Sequence, residues 1–180
     1  MARSGERGPG AGRGEKGFTL IELMFASVYL SVGLLAIAAM ENIAISRSTD
    51  AKRLTVATNM ATEMLERVRF NSPANSTLSG ATYPYSGIQA CSDLATCAEA
   101  AGNSTANATA NGDYDQWRAR LKARDASGQL MLPGAVATVT SAAMPGGTAS
   151  LGQVLVTVQV QWTSGLRTPT ITLRTVVAPL

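Results

Sequence analysis

The 180-residue chain contains no histidine and only two cysteines, Cys91 and Cys97. Without histidine the commonest general base of enzymes is missing, and no G-x-S-x-G, P-loop or dinucleotide fingerprint stands in for it. The remaining Ser, Lys and carboxylate side chains show no catalytic spacing, so the sequence points away from an enzyme. A metal centre lacks histidine and a second cysteine pair, and the C-x5-C spacing is not that of a C-x-x-C redox pair. No cofactor is expected. Charge is scarce, at 15% of residues, and the net +3 arises largely in the first 17 residues, where Arg3, Arg7, Arg13 and Lys16 outweigh Glu6 and Glu15. Beyond Gly17 eleven basic residues meet ten acidic ones, which gives no reason to expect a polyanion or nucleic-acid partner. Proline is absent between Phe18 and Pro73.

What the chain does contain is one long apolar run. FTLIELMFASVYLSVGLLAIAAM, Phe18 to Met40, holds 23 residues with Glu22 as its only charge, enough at helical rise to cross a hydrocarbon core of about 30 Å. A carboxylate there is expensive, at roughly 2.5–3.5 kcal/mol on insertion scales, so Glu22 calls for a reason. The segment reads in three ways. As a secretory signal peptide it is too long and lacks a small-x-small site followed by polar sequence. As a plain anchor it fits, with the basic leader cytoplasmic and the carboxyl end exported. The third reading takes in the local pattern: a basic leader ending in Gly17, then Phe18, Thr19, Leu20, Ile21 and Glu22.

KGFTLIE, Lys16 to Glu22, resembles the processing site of type IV prepilins and pseudopilins, and residues 14–70 as a whole are similar to that class. The resemblance implies cleavage after Gly17 by the prepilin peptidase and N-methylation of the new terminus at Phe18. It also implies a role for Glu22 in assembly, pairing with the amino terminus of a neighbouring subunit. That role has a physical rationale, since a buried charge is tolerable when paired and expensive alone. The competing use of Glu22 is simple snorkelling to the headgroups.

The helix should run on from about 18 to about 70, nearly 80 Å at 1.5 Å per residue. Leu54, Ala57, Met60, Ala61, Met64, Leu65 and Val68 recur at spacings of three, four and seven, with Arg53, Thr58, Thr62, Glu63, Glu66 and Arg67 between them. This predicts an apolar stripe over the second half, which a folded head must cover. Pro73 and the turn-forming NSPANS then end the helix.

The head, 73–180, should supply a small antiparallel sheet. Val154, Val156, Val158, Val160 and Trp162 alternate with Leu155, Thr157, Gln159 and Gln161. TITLRTVVA, Thr170 to Ala178, shares a face at Ile171, Leu173, Thr175 and Val177, so 152–178 predicts a β-hairpin. AVATVT, Ala135 to Thr140, offers a further strand before a Pro145–Gly147 turn. The fold class expected is α+β, the type IV pilin fold on the resemblance, with three or four strands packed on the Met60/Met64/Leu65 stripe.

Between helix and sheet the reading is less direct. DYDQWRARLKARD predicts a short helix near 113–124, with Asp113 as N-cap and Gln116 three residues on. The same residues also alternate as a strand, Trp117, Ala119, Leu121 and Ala123 facing inward. Asp113 and Asp115 could open a calcium loop, but the downstream glycine and bidentate glutamate are missing. Arg118, Arg120, Lys122 and Arg124 have no aromatic stacking row for nucleic acid and read as a solvated face. AAGNSTANATANG, Ala100 to Gly112, reads as a flexible surface loop whose sequons at Asn103 and Asn107 arise from composition. If the head is exported, Cys91 and Cys97 sit in an oxidising compartment, and a disulfide closing the 91–97 loop is expected.

Within the class, Gly33 to Ser48 and Ala57 to Asn71 resemble the PilV-type minor pilins, and Trp117, Leu121 and Leu132–Gly134 are similar to that group's mid-domain pattern. The resemblance implies a minor pilin of the bacterial inner membrane, single-pass with a periplasmic head and with incorporation in the extracellular pilus. Its implied partners are other minor pilins, the major pilin, the prepilin peptidase, the inner-membrane assembly platform and membrane lipid. The alternatives are a minor pseudopilin of a type II secretion system and a pilus-borne adhesin.

Overall fold

A computed structural model describes residues 17–71, 82–95, 97–144 and 153–178. Among them the chain falls into two compact units, one ending at Ser46 and one beginning at Arg47. The leader before Gly17, Pro73 with the rest of NSPANS after Asn71, the Pro145–Gly147 turn and Gly152 of the hairpin lie outside the described residues.

The first helix, α1, runs from Leu20 to Phe70, 51 residues without a break. No proline interrupts it. Serine and threonine within it turn their hydroxyls back on the helix, as Ser27 Oγ does to the Met24 carbonyl and Ser31 Oγ to that of Ser27, both at 2.8 Å, so polar atoms in an apolar run are satisfied locally. From Ala57 onward its character changes. Ala57, Met60, Ala61, Met64, Leu65 and Val68 are buried, and each large side chain so covered contributes about 1.5–3 kcal/mol. Leu54, expected in this stripe, is instead half-exposed, and Val56 takes a partly buried place against the core.

The covering element is a four-stranded antiparallel sheet in the order β1 (Ile88–Cys91), β2 (Val136–Ala143), β3 (Val154–Gln161), β4 (Thr170–Val177). Its register runs through Cys91, Val136, Gln161 and Thr170 in one row at one end. Val154, Val156, Val158 and Val160 are all buried, as are Thr175 and Val177 on β4, so the period-two alternation put the correct face inward. β2 extends beyond the 135–140 segment to Ala143. One cluster unites the α1 stripe, Val156, Val158, Val160 and Trp162 of the sheet side, and Tyr114, Trp117 and Leu121. The head is α+β.

Those last three residues belong to α2, Ala108–Leu121. The short helix expected near 113–124 is therefore shifted, and the strand alternative is not adopted. Asn107, not Asp113, is the N-cap: its side chain accepts the Ala110 N–H at 3.0 Å. Ala100–Gly112 is also not a loop throughout. Gly102–Ala106 forms a 3-10 helix and 108–112 the first turns of α2. Gly102 makes this possible. Its φ is +57°, and a Cβ there would lie 2.3 Å from the Ser86 carbonyl oxygen, so only glycine lets the two backbones meet.

Candidate functional site

The amino-terminal motif lies at the mouth of α1. Gly17, Phe18 and Thr19 precede the first turn, and the Thr19 carbonyl accepts the N–H groups of Glu22 at 3.1 Å and Leu23 at 3.3 Å. Thr19-x-x-Glu22 has the spacing of a capping box, and a carboxylate in the first turn sits well against the positive end of the helix dipole. Glu22 thus has a local reason to be near a helix start, though none to be inside an apolar run. Its carboxylate is exposed and has no ion-pair or hydrogen-bond partner among the described residues. Phe18 is 84% exposed. Every described residue from Gly17 to Ser46 is exposed, and a helix apolar on all sides is stable only when something apolar surrounds it. By length and composition α1 contains a stretch able to cross a membrane.

The head concentrates its ionic groups between α1 and α2. Asp113, placed one and a half turns into α2, is buried and accepts from Arg67 Nη1 at 2.6 Å, Asn71 Nδ2 at 2.7 Å and the Tyr85 hydroxyl at 2.6 Å. Burial and then this bond to Asp113 push the Tyr85 phenol well above its ordinary pKa. Arg67 also holds Glu63, whose second oxygen meets Arg120. Burial alone would raise the Glu63 carboxyl, but the hydrogen bonds from Arg120 and Arg67 outweigh it and hold it below the usual range. Glu99, its side chain 10% exposed, pairs with Arg118 and Lys122, each at 2.7 Å. Its carboxyl is likewise lowered, the two cations overcoming desolvation. Trp117 Nε1 donates to the Met60 carbonyl at 3.1 Å, pinning α2 to α1.

These contacts bear on two readings of the sequence. The basic run from Arg118 to Arg124 does face solvent, with Arg118, Arg120 and Lys122 side chains 40%, 60% and 31% exposed, but it is not unpartnered: each of those three is engaged by a carboxylate and Arg124 Nη1 donates to the Gly128 carbonyl at 2.7 Å. Asp113 does not open a calcium loop: it lies in a helix and both its oxygens are taken by donors from other elements. Asn103 and Asn107 have structural uses, the first donating to the Tyr83 carbonyl at 3.2 Å and the second capping α2.

Cys91 and Cys97 lie at disulfide distance with Cα atoms 6.0 Å apart. Just past them, Gln89 and Ala100 exchange two backbone hydrogen bonds, at 2.7 and 2.8 Å, and cover the outer edge of β1. Strand β1 and the Arg67–Asp113–Tyr85 network are the features that sequence reasoning did not find. IQAC is too short to show a period, whereas the pairing of Arg67 with Asp113 joins residues 46 apart and has no local signal. Comparison with family models, curated proteins and solved structures finds no match to this chain.

Proposed function

We propose that the chain is a minor pilin of a type IV pilus, held in the bacterial inner membrane by the first half of α1 and processed by the prepilin peptidase. The observation that carries this reading is the two-part helix Leu20–Phe70: wholly exposed and apolar where the motif begins it, then buried along one stripe by an α+β head. A secretory signal has no need to continue without a break into the head's core. In this reading cleavage after Gly17 frees an amine at Phe18, N-methylation follows, and Glu22 pairs with the amine of a neighbouring subunit as the helices pack. The pairing supplies the reason for a charge in an apolar run that capping alone does not. The head then serves other minor pilins, the major pilin and the assembly platform as a binding body, not as a catalyst.

Intact-mass and amino-terminal analysis of the protein from its host membrane tests this directly. A chain beginning at N-methylated Phe18 is expected. A chain that still begins near Met1, or is cut elsewhere, removes the basis for the reading.

A further inference from the structure

The charges and exposed apolar side chains of the unit beginning at Arg47 are unevenly distributed. Ser164 Oγ donates to Asp50, and Arg69 Nε donates to Thr175 Oγ1 at 2.9 Å. The β3–β4 hairpin therefore lies along α1 with its turn at the end where α1 enters the unit. The sheet row Cys91, Val136, Gln161, Thr170 ends at the same side, so the loops after β1, before β2 and between β3 and β4 all emerge there. Each displays one large apolar side chain: Leu94 is 65% exposed, Met131 42% and Leu166 fully exposed. Leu166 is held in place, not merely left out. Ser164 and Arg167 exchange backbone hydrogen bonds at 2.9 and 3.0 Å, Gly165 takes the positive φ that the turn requires, and Thr163 N donates to the Pro133 carbonyl at 2.9 Å.

Lys52, Arg53 and Asp125 line one hollow with Met131, Arg167 follows Leu166 directly, Arg47 precedes Asp50 by one helical turn, and Asp93 precedes Leu94. The acids are bound up locally: Asp50 by Ser164, Asp93 by the Ala95 N–H at 3.0 Å, and Asp125 by the N–H groups of Ser127 and Gln129 at 2.8 and 3.0 Å. No ion pair engages Arg47, Lys52 or Arg167 among the described residues. The chain reaches this end ten residues after Met40, the last of the apolar run.

Apolar tips accompanied by the cations Arg47, Lys52 and Arg167, none held in an ion pair among the described residues, match a bilayer interface, where the tips enter the acyl boundary and the cations meet phosphate. We propose that this end of the unit, through Leu94, Met131 and Leu166 with Arg47, Lys52 and Arg167, docks on an anionic phospholipid surface, that of the membrane crossed by the chain's own apolar helix. The inference rests on the membrane-spanning part of the proposed function.

The test uses the full chain carrying Leu166→Trp, reconstituted in vesicles of phosphatidylglycerol or of phosphatidylcholine with brominated acyl chains. Flotation first shows whether the chain inserts. Trp117 and Trp162 are buried at 0% and 2% exposure, so the unsubstituted chain supplies their background. Quenching at position 166 is expected in phosphatidylglycerol and little in phosphatidylcholine. Arg47→Gln and Arg167→Gln should each lower the docking constant about fivefold, and raised salt should act in the same direction. Equal quenching in both lipids overturns the proposal. So does a chain that floats with the vesicles while position 166 stays open to aqueous acrylamide, or is shielded only as the protein-to-lipid ratio rises, which would mean a protein partner. A chain that does not float overturns both this proposal and the membrane-spanning reading.

Discussion

Replacing Asp113 by alanine should destabilise the head by about 3 kcal/mol, and the figure follows from what its two oxygens hold. Truncation leaves the Tyr85 hydroxyl, on a residue 1% exposed, without the acceptor it now has at 2.6 Å. An orphaned buried donor costs about 1–3 kcal/mol. The bond from Arg67 is charge-assisted and worth about 1.5–3 kcal/mol when fully protected, but the Arg67 side chain is 24% exposed and keeps Glu63 at 2.8 Å, so solvent and the second carboxylate reduce that loss. For a unit of this size the sum corresponds to a fall of about 10 °C in Tm. Near-UV circular dichroism of the full chain in detergent reads it, because Trp117 and Trp162 lie in the head core. Asp113→Asn should fall between, since it keeps an acceptor for Tyr85 but turns an amide donor toward Arg67 or Asn71. The sharper check is Tyr85→Phe in the Asp113→Ala background, which removes the orphaned hydroxyl and should recover about 1 kcal/mol. A loss below about 0.5 kcal/mol for Asp113→Ala, or no recovery with Tyr85→Phe, would refute the reasoning.

Four further outcomes follow. Glu63 and Glu99 have carboxyl pKa values depressed in the folded head, so their stabilising contribution is complete above the unfolded value of about 4.3 and is lost as pH falls through the lower folded values; the Tm of the head should drop below about pH 4.5, the drop should shrink in Glu99→Gln, and a flat Tm down to pH 3 would count against both ion-pair groups. Glu22→Gln retains the capping-box spacing but not the charge, so it should insert and be cleaved normally yet fail to enter filaments, and normal incorporation measured by immunoblot of sheared pili would sink the pairing account. Gly17→Ala should leave the leader attached, read as an unshifted intact mass. Cys91→Ser should lower head stability by about 2 kcal/mol by releasing a short closed loop in urea unfolding under non-reducing conditions, and an unchanged midpoint would show that no bridge forms.

Where the sequence was legible, the controlling interactions were periodic and local. Met60, Met64, Leu65 and Val68 repeat with the helix, Val154 to Val160 repeat with the strand, and burial follows both patterns because a period fixes the face before any partner is known. The errors lie where a distant residue overrides a local rule. Asp113 with Gln116 three residues on looks like the start of a helix, and the competing cap Asn107 sits in a stretch whose composition reads as loop. What decides its place is Arg67 on another element: the cation, together with Asn71 and Tyr85, makes a buried carboxylate tolerable, and once Asp113 is drawn inside, α2 can begin earlier on Asn107. Arg118, Arg120 and Lys122 remain solvent-facing as the sequence suggests, while their carboxylate partners Glu63 and Glu99 come from elsewhere in the chain and leave no local signal. Gly102 follows a parallel course, a low-complexity residue by composition that the Ser86 and Gly87 backbone makes indispensable. Glu22 is the converse case. No hydrogen bond or ion pair engages its carboxylate among the described residues, so the first turn of its own helix and a neighbouring chain are the two reasons to be weighed for its charge, and the glutamine substitution separates them because it preserves only the first.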